Sequence, residues 1–543
     1  MENLDIQKPC VVQTPQGFSV SYKNHLLYSK YNPSKSILQT IEKLELLSGS
    51  IIICKSPVLD YGLKELDQKL PENCLLIICE ADQNLYQFEK ENLNLSELKA
   101  NYIFPSPENL KDLPLKLYES TRKNNYKRTI GINFSAGIQF HEDFYKNLEK
   151  ACVDSVMTFW KNRVTLTKFG RKYSSNLFSN LKVMGQSQPI NTYLKSITKP
   201  IIVFGAGQSL DLFFKNTDID FLKYYILCVD TALQPLLKRG IKPNGVFIEE
   251  AQSIITRSFI NKMDNIHIFA GLSSTRLLSH FIKPRQISYF MTQYTQASFL
   301  DNLYMNFPQL VQNPPFGSVG LTAVYYALLF RSSTKLPVYV VGLDFSYSAG
   351  LTHAKASMAH LQRLIQSNRL TSIENHAASF STSSIKFSDK NGQIFFTSPS
   401  LKSYAETFNN YFYNSQNLFD ASLCGIPLGI ERKLPNPQDL TVFNDVKNDD
   451  EDSSKNSNSN FDKETQNKLS SYLENEKKQL KRLLELLEGK IILDKKDLEK
   501  EILKIVNQRE YLYLHFPDGY KFTYNQSFLN RIKSETQAFL KYL

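Results

Sequence analysis

The sequence lacks the usual features of a secreted or metal-binding protein. Its seven cysteines form no Cys-x-x-Cys pair, and several lie inside apolar runs, where cysteine behaves as a small buried hydrophobe. An odd number of cysteines without ligand spacing indicates a reducing compartment and no structural zinc. The His-Glu-x-x-His motif is missing and the eight histidines are dispersed, so we expect no bound metal.

Long hydrophobic runs are also missing. The apolar stretches are far shorter than the roughly 20 residues that a membrane-spanning helix needs. The first 14 residues include Glu2 and Asp5 and no continuous apolar segment, so we expect no secretory signal. These absences predict a soluble, cytoplasmic protein without a membrane span.

The charge is only mildly unbalanced. The 64 basic and 53 acidic residues give a net charge of +11, and the lysines are scattered rather than clustered. A basic stripe for nucleic acid is therefore not indicated, whereas affinity for anionic substrates is compatible with this balance.

Two common nucleotide-binding motifs fail on spacing, but a related pattern is present. The Gly-Lys-Ser/Thr of a P-loop is missing, and Leu210 occupies the last glycine position of Gly-x-Gly-x-x-Gly. Apolar residues 201–204 nevertheless run into Gly205 and Gly207, and Ser209 then opens a predicted helix. A strand, a glycine turn and a helix N-terminus can hold a phosphate through backbone amides and the helix dipole. The same turn can also serve only to pack a helix against a sheet.

The length predicts two or three domains, because 543 residues exceed what one core normally holds. We predict an N-terminal small α/β domain over residues 1–145 and a helical connector over 146–198. A central domain follows over 199–435, then a disordered acidic, Ser- and Asn-rich linker over 436–466 and a helical C-terminal section over 467–543.

Both α/β regions are predicted from apolar runs that alternate with helical segments. In the first domain the candidate strands are 50–54, 74–79 and 129–133. In the central domain they are 200–204, 225–230, 245–249, 266–270, 287–290 and 337–342. Spacings of about 20 residues leave room for crossover helices, so we expect a doubly wound parallel sheet whose ligands bind beyond the carboxyl ends of the strands.

Acidic residues end two of the central strands. Asp230 lies about 20 positions after the glycine turn, where a carboxylate can accept hydrogen bonds from ribose hydroxyls. It could equally begin the next helix as a cap. Glu249 and Glu250 point in different directions on a strand, so only one can face the site, and we assign Glu250 to the nucleotide. A solvated pair at the sheet edge is the alternative.

The last candidate strand is followed by the richest set of polar residues. It ends in Gly342 and Asp344, and Tyr347 and His353 follow in the loop, which together supply an acid, a hydroxyl and an imidazole. The pKa of imidazole suits proton removal from an acceptor hydroxyl near neutral pH. A surface histidine is the alternative for His353, and His360 is a weaker candidate. We therefore assign Asp344, Tyr347 and His353 to catalysis.

Upstream of that strand, a Pro-Pro-Phe segment leads into Gly317 and Ser318. Ser318 is placed as a helix N-cap or as a hydroxyl that faces an anion.

Five short motifs, in their order, resemble the motility-associated factor (Maf) family of flagellin glycosyltransferases, whose central domain is also known as DUF115 or MptE-like. They are a glycine turn with Ser-Leu-Asp, Asp-Thr-Ala after a strand, Gly-Ile-Lys-Pro, a Gly-Ser-Val helix start, and Gly-x-Asp followed by Tyr and Thr-His. They lie at residues 205–211, 230–232, 240–243, 317–319 and 342–353. The match covers about residues 195–365, and the sequence departs from the family at Gln208, Phe316 and Asn244.

The resemblance implies a central domain similar to the bacterial sialyltransferases. It implies transfer of a nonulosonic, sialic-acid-like sugar from a CMP-activated donor to Ser or Thr hydroxyls of flagellin. No cofactor is expected, because a CMP-linked donor leaves with a single phosphate. Gly205, Gly207 and Ser209 would hold phosphate, Asp230 the ribose or base, and Gly317 and Ser318 the nucleotide or the donor carboxylate.

Two other functions stay open at this point. A pterin diphosphokinase, from another branch of the same domain superfamily, would use ATP and magnesium. A flagellin-binding or export-escort protein would use the helical C-terminal section to hold the filament subunit, although an amphipathic helix more often packs on its own chain.

Overall fold

The computed structural model describes residues 8–259, 266–373, 383–436, 461–519 and 521–543. The chain divides into two compact units, each with its own parallel sheet. Unit 1 comprises the described residues of Met1–Lys168 together with His515–Phe522, and unit 2 comprises those of Phe169–Leu514 and Thr523–Leu543. The division at residue 168 lies inside one long helix rather than at the predicted boundaries near 145 and 198.

Unit 1 opens with a small antiparallel sheet and continues as an α/β fold. Its strands are β1 Cys10–Thr14, β2 Gly17–Tyr22, β3 His25–Leu26, β4 Ser50–Lys55, β5 Leu75–Cys79, β6 Asn101–Ile103 and β7 Arg128–Asn133. Its helices are α1 Lys35–Lys43, α2 Leu63–Lys69, α3 Gln83–Asn92, α4 Leu113–Asn124 and the first part of α5 Glu142–Met184.

The main sheet of unit 1 is parallel, with strand order β6-β5-β4-β7. Strands β4 and β5 are buried along almost their whole length, as continuous apolar runs predict for a sheet covered on both faces. The order reverses direction between β4 and β7, which makes that position the topological switch point of the sheet.

Side chains fill the carboxyl edge of the unit 1 sheet next to this switch point. The buried Glu80 carboxylate accepts hydrogen bonds from the Ser56 hydroxyl at 2.6 Å and the Tyr145 hydroxyl at 3.0 Å. Ser56 follows β4 with φ 49°, a left-handed conformation, and its hydroxyl lies within hydrogen-bonding distance of this carboxylate. Burial and then the neighbouring Glu80 raise the pKa of Glu89, a fully buried carboxyl on α3, well above its usual value.

The antiparallel sheet β1-β2-β3, which no pattern in the sequence predicted, covers the carboxyl edge of the parallel sheet of unit 1. The Tyr22 hydroxyl donates to Asp82 at 3.0 Å, and the Tyr28 hydroxyl donates to the carbonyl of Pro57 at 3.0 Å. Tyr22, Tyr28 and Val58 are buried in one cluster with Leu85. The carboxyl edge of the parallel sheet of unit 1 is therefore covered by the protein's own residues.

Unit 2 contains a larger parallel sheet with flanking helices. Its strands are β8 Ile201–Phe204, β9 Tyr225–Val229, β10 Gly245–Ile248, β11 His267–Gly271, β12 Ile287–Thr292, β13 Gln312–Asn313, β14 Val338–Val341, β15 Ile385–Ser388, β16 Ile394–Thr397 and β17 Leu418–Asp420. Its helices before the C-terminal section are α6 Ser209–Asn216, α7 Asp230–Leu237, α8 Leu278–Phe281, α9 Ser298–Asn306, α10 Val319–Phe330, α11 Met358–Gln366 and α12 Pro399–Phe412.

The eight-stranded order is β13-β12-β11-β10-β9-β8-β14-β17, with every neighbouring pair parallel. The predicted α/β class and the doubly wound central sheet are confirmed. Helix α10 packs on the middle strands, and Phe247, Phe269 and Phe330 lie in the same core. The short hairpin β15-β16 is antiparallel and stands apart from this sheet.

The C-terminal section is helical and packs within unit 2. Its helices are α13 Lys463–Leu487, α14 Lys495–Val506 and α15 Gln526–Phe539. Buried Glu476 on α13 accepts from Arg509 at 2.7 Å and from the Tyr511 hydroxyl at 2.5 Å, and the Tyr511 ring contacts Phe178 on α5. Leu469, Leu480 and Leu483 on α13 are buried as well, so one face of this helix packs within unit 2.

The predicted linker over residues 436–466 lies largely outside the described residues, and α13 begins at Lys463. Over the described ranges, none of the helices combines the length and the apolar character required to cross a bilayer.

Candidate functional site

The switch point of unit 2 lies between β8 and β14, which are neighbours in the sheet but distant in the chain. The two loops that leave these strands meet there. The Gly205 amide donates to the Val341 carbonyl at 2.7 Å, and the Gly207 amide donates to the Gly342 carbonyl at 2.8 Å. The glycine turn and the loop after residue 341 therefore share one edge of one sheet, as the sequence predicts.

Close packing explains the glycines of this turn. A Cβ atom at Gly205 would lie 2.4 Å from the Gly342 carbonyl oxygen, and one at Gly207 would lie 2.4 Å from a carboxylate oxygen of Asp344. Gly342 has φ +79°, and a Cβ there would lie 2.5 Å from the Gly205 oxygen. The two loops approach each other so closely that no side chain fits between them.

Asp344 holds the glycine turn in place. Its carboxylate accepts hydrogen bonds from the Ser209 amide at 2.7 Å and from the Ser209 hydroxyl. The Cys424 thiol lies 3.8 Å from the same carboxylate. Burial raises the pKa of Asp344 to about 6, against the lowering effect of the Ser209 bonds. The groups of Ser209 assigned to phosphate are thus engaged inside the protein.

A cavity of about 590 Å³ opens at this edge of the sheet. Five of the ten predicted site residues line it, namely Gly207, Ser318, Asp344, Tyr347 and His353. The other five lie outside the lining, namely Gly205, Ser209, Asp230, Glu250 and Gly317. The volume falls within the roughly 300–1,000 Å³ of pockets that bind small ligands.

Asp230 is the first residue of α7 and is almost completely buried. Its carboxylate accepts from the Thr231 amide at 2.5 Å and the Thr231 hydroxyl at 2.8 Å. Burial raises the pKa of Asp230 to about 6. Thr231, rather than Asp230, lines the cavity.

The pair of glutamates after β10 has divided roles. The Glu249 carboxylate accepts from the Thr292 hydroxyl at 2.7 Å and the Thr322 hydroxyl at 2.8 Å, which ties β10 to β12 and α10. Glu250 accepts from the Gln252 amide at 2.8 Å and so closes the turn after the strand. Neither residue belongs to the cavity lining.

Helix α10 presents its N-terminus to the cavity. Ser318, Val319 and Gly320 line the cavity, and Ser318 is the N-cap residue with extended backbone. The first amides of a helix have no partner within the helix and favour anions. Gly317 precedes this start with φ +72°, and its Cβ position would lie 3.1 Å from the ring of Tyr404.

The loop that carries Tyr347 and His353 is fixed at both ends. Tyr347 exchanges two backbone hydrogen bonds of 2.8 Å with Phe396 on β16, and their rings stack with centroids 6.2 Å apart. The Ala354 amide donates to the Ala206 carbonyl at 2.8 Å, which holds His353 beside the glycine turn. The Thr352 hydroxyl lies 3.0 Å from Nδ1 of His353.

Arg363 on α11 also lines the cavity, beside the loop that carries His353, and no motif in the sequence predicted it. One guanidinium nitrogen donates to the Thr352 hydroxyl at 2.5 Å and another to the Gly350 carbonyl at 3.3 Å. Ala359, one turn earlier on the same helix face, also lines the cavity. His360 does not line it, and burial lowers the pKa of His360.

A buried ion pair anchors the β15-β16 hairpin, whose strand β16 pairs with Tyr347. Lys390, at the turn of the β15-β16 hairpin, donates to Asp420 at the end of β17, and both side chains are 1% exposed. The Lys390 ammonium also donates to the Ser422 carbonyl at 3.4 Å. The hairpin that pairs with Tyr347 is therefore attached to the edge strand of the sheet.

Metal ligands are not grouped in the part of the chain that the structure describes. Within those residues, no cluster of three or more His, Cys, Asp or Glu side chains could hold a metal ion.

Comparison with known proteins agrees with the arrangement of unit 2. Residues 175–350 match the family model "6-hydroxymethylpterin diphosphokinase MptE-like". A Treponema pallidum (strain Nichols) protein described as uncharacterized is 28% identical over 561 aligned residues, which cover 98% of this chain and 95% of the relative. The predicted resemblance to the DUF115-type domain is thus confirmed at the level of the domain.

A solved structure extends the likeness to the whole chain. The Maf glycosyltransferase from Magnetospirillum magneticum AMB-1 superposes with a TM-score of 0.50 at 11% identity, covering 98% of this chain and 91% of that one. At this identity the match establishes a shared fold. The chain is thus similar to MptE-like domains over residues 175–350 and shares the fold of a Maf glycosyltransferase.

Proposed function

We propose that this protein is a glycosyltransferase that moves a nonulosonic sugar from a CMP-activated donor to Ser or Thr hydroxyls of flagellin. The observation that carries the proposal is the cavity at the β8/β14 switch point, since open α/β sheets bind ligands at this position. The fold shared with a Maf glycosyltransferase supports the reaction class. The donor and the acceptor protein are inferred from the resemblance in sequence motifs.

The cavity residues suggest where the nucleotide binds. The amides of Gly205, Gly207 and Ser209 are engaged within the protein, so we place the phosphate at the N-terminus of α10 instead. There the Ser318 hydroxyl and the first-turn amides of the helix can donate to an anion. Thr231, in the first turn of α7 after β9, takes the position toward the ribose that the sequence assigned to Asp230.

The transfer step requires one proton acceptor. The hydroxyl oxygen of the acceptor attacks the anomeric carbon, the bond from that carbon to the phosphate oxygen breaks, and CMP leaves with the electron pair. The hydroxyl proton passes to Nε2 of His353, provided that the neutral ring carries its hydrogen on Nδ1. The Thr352 hydroxyl, 3.0 Å from Nδ1, is placed to accept that hydrogen. In this scheme no cofactor takes part.

Binding and transfer can be tested separately. Isothermal calorimetry with CMP should show a single site, and CMP should raise the unfolding temperature by mass action. Incubation with a CMP-nonulosonate and flagellin should then increase the flagellin mass by one sugar residue per modified site. Binding of flagellin without CMP affinity or mass change would favour an escort protein instead.

The family model favours one alternative enzyme. Its description names a pterin diphosphokinase, and the matched residues 175–350 include the glycine turn and α10. Such an enzyme transfers a diphosphate from ATP to an alcohol and releases AMP. Magnesium in such sites is commonly held by one or two carboxylates and the substrate phosphates. Magnesium-dependent formation of AMP from ATP and a hydroxymethylpterin would select this alternative.

A further inference from the structure

Arg363 carries a positive charge on the cavity wall, and among the described residues it has no acidic partner. Of the described residues that line the cavity, only Asp344 and Arg363 have side chains with a full formal charge at neutral pH. The Arg363 guanidinium donates to a hydroxyl and to a carbonyl, both of them neutral, and it forms no ion pair with a described residue. Burial lowers the pKa of Arg363, which reflects partial removal of the charge from water.

The carboxylates near this loop are already engaged. Asp344 is bound by the amide and hydroxyl of Ser209. Asp211, on α6, is paired with Arg239 and also accepts from the Lys355 amide at 2.8 Å. The charge of Arg363 is therefore not neutralised by these two acids.

The guanidinium is oriented before any ligand binds. Its two hydrogen bonds use donors on two different nitrogens and fix the side chain against residues 350–352. A guanidinium has five donors in a rigid fork, so three more are available in principle for a ligand. A prealigned arginine loses little side-chain entropy when it binds an oxyanion.

We propose that Arg363 binds an oxyanion of the substrate and selects acidic over neutral ligands in this cavity. The inference rests on the proposed function, in which the donor carries both a phosphate and a sugar carboxylate. With the α10 N-terminus at one wall and Arg363 at another, the cavity has two separate groups suited to anions. Arg363 is the ligand-binding residue in this proposal, and the Thr352 hydroxyl is one of two groups that hold its side chain.

Two matched pairs of probes identify the oxyanion. CMP and cytidine differ by the phosphate, and N-acetylneuraminic acid and its methyl ester differ by the carboxylate charge. Affinities for all four are measured by calorimetry on the full chain, with wild type, Arg363→Gln and Arg363→Lys. We expect wild type to prefer the acidic member of at least one pair by about 10- to 100-fold, as a charge-assisted hydrogen bond provides.

Arg363→Gln should remove that preference while the affinity for the neutral member of the pair is retained. Arg363→Lys should keep part of it, because the charge remains and the fork is lost. If Arg363→Gln loses the preference for CMP over cytidine, Arg363 binds the phosphate. If it loses the preference for the sugar acid over its methyl ester, Arg363 binds the carboxylate. An unchanged preference in both pairs, or none in wild type, overturns the proposal.

Two controls separate charge from loop structure. Arg369→Gln removes an exposed arginine six positions later and should leave every affinity unchanged. Thr352→Val removes the hydroxyl anchor but keeps the guanidinium, so it should retain most of the preference for the acidic probe. If Thr352→Val loses the preference as fully as Arg363→Gln, loop position explains the effect and the proposal is overturned.

The outcome is independent of the transfer reaction. A protein that shows the Arg363-dependent preference but modifies no flagellin would retain this inference and lose the proposed function. If the wild type and the Arg363→Gln variant modify flagellin equally well and bind each probe with equal affinity, the proposed function would be retained and this inference would be lost.

Discussion

The carboxyl edges of the two parallel sheets differ although both sheets reverse strand order in the same way. In unit 1 the carboxyl edge is filled by Ser56 after β4, which bonds to Glu80 after β5 and to Ser135 after β7, and it is covered by the β1-β2-β3 sheet. In unit 2 the switch point between β8 and β14 adjoins a cavity of about 590 Å³. Topology provides a place for a ligand, and the side chains decide whether the place is filled or left open.

The largest expected effect is on catalysis at the open edge, that is, at the cavity beyond β8 and β14 in unit 2. His353→Ala should lower the rate of sugar transfer by roughly 10²- to 10⁴-fold, the range for removal of a general base. The rate is measured from the flagellin mass shift over time. His360→Ala is the matched control, because His360 is near in sequence but does not line the cavity. Full modification of flagellin by the His353 variant would exclude His353 from the mechanism.

The next effect concerns the contact between the two loops at the open edge. Gly207→Ala should lower the free energy of unfolding by about 1–3 kcal/mol, since its Cβ would lie 2.4 Å from the Asp344 carboxylate. Denaturant unfolding measures the loss, and CMP affinity should fall with it.

Gly271→Ala, on β11, is the control for this substitution. A Cβ there meets its nearest atoms at 3.5 Å, an ordinary contact, and stability should change little. Equal losses of stability in the two variants would show that the close approach of the two loops does not require a glycine at position 207.

The last prediction concerns the filled carboxyl edge of unit 1. Because burial raises the pKa of Glu89, the folded protein binds a proton there that the unfolded chain releases above about pH 4.3. The free energy of unfolding should therefore fall as pH rises above that value, by at most about 1.4 kcal/mol per pH unit, until the raised pKa is passed. Glu89→Gln, which resembles the protonated acid, should remove this dependence.

Hydrogen exchange of β4 and β5 at pH 5 and pH 8 measures the stability of this part of unit 1. Glu91→Gln, an exposed glutamate on the same helix, is the control and should keep the wild-type slope. CMP affinity should be unchanged in both variants. A wild-type slope in Glu89→Gln, or a loss of CMP binding, would contradict the structural role of the filled edge.

The sequence predicted the longer parallel strands well, because each is largely a continuous apolar run. Residues 50–54 and 337–342, for example, became β4 and β14. It missed the parallel strands of two or three residues, β6, β13 and β17. The antiparallel strands β1, β2, β3, β15 and β16 were missed as well. They are short and mix polar with apolar residues, so no run distinguishes them from loops.

The candidate site was predicted in position more than in detail. The order of motifs placed the glycine turn and the Gly342–Asp344 segment at one edge, and the structure brings them into contact. The sequence could not reveal that the glycines are needed for that contact, or that Ser209 is bonded to Asp344, because both depend on tertiary distances. Arg363 was missed for the same reason, although its i, i+4 spacing from Ala359 on a helix after the loop is a usable signal.

The ion pair of Lys390 with Asp420 makes the cavity wall dependent on the far edge of the sheet. Two charges withdrawn from water are costly to separate, so loss of either partner leaves an isolated buried charge. A displacement of β17 would be transmitted through the hairpin to Phe396 and from there to the backbone of Tyr347. Substitutions on that outer strand can therefore alter ligand binding without touching the ligand.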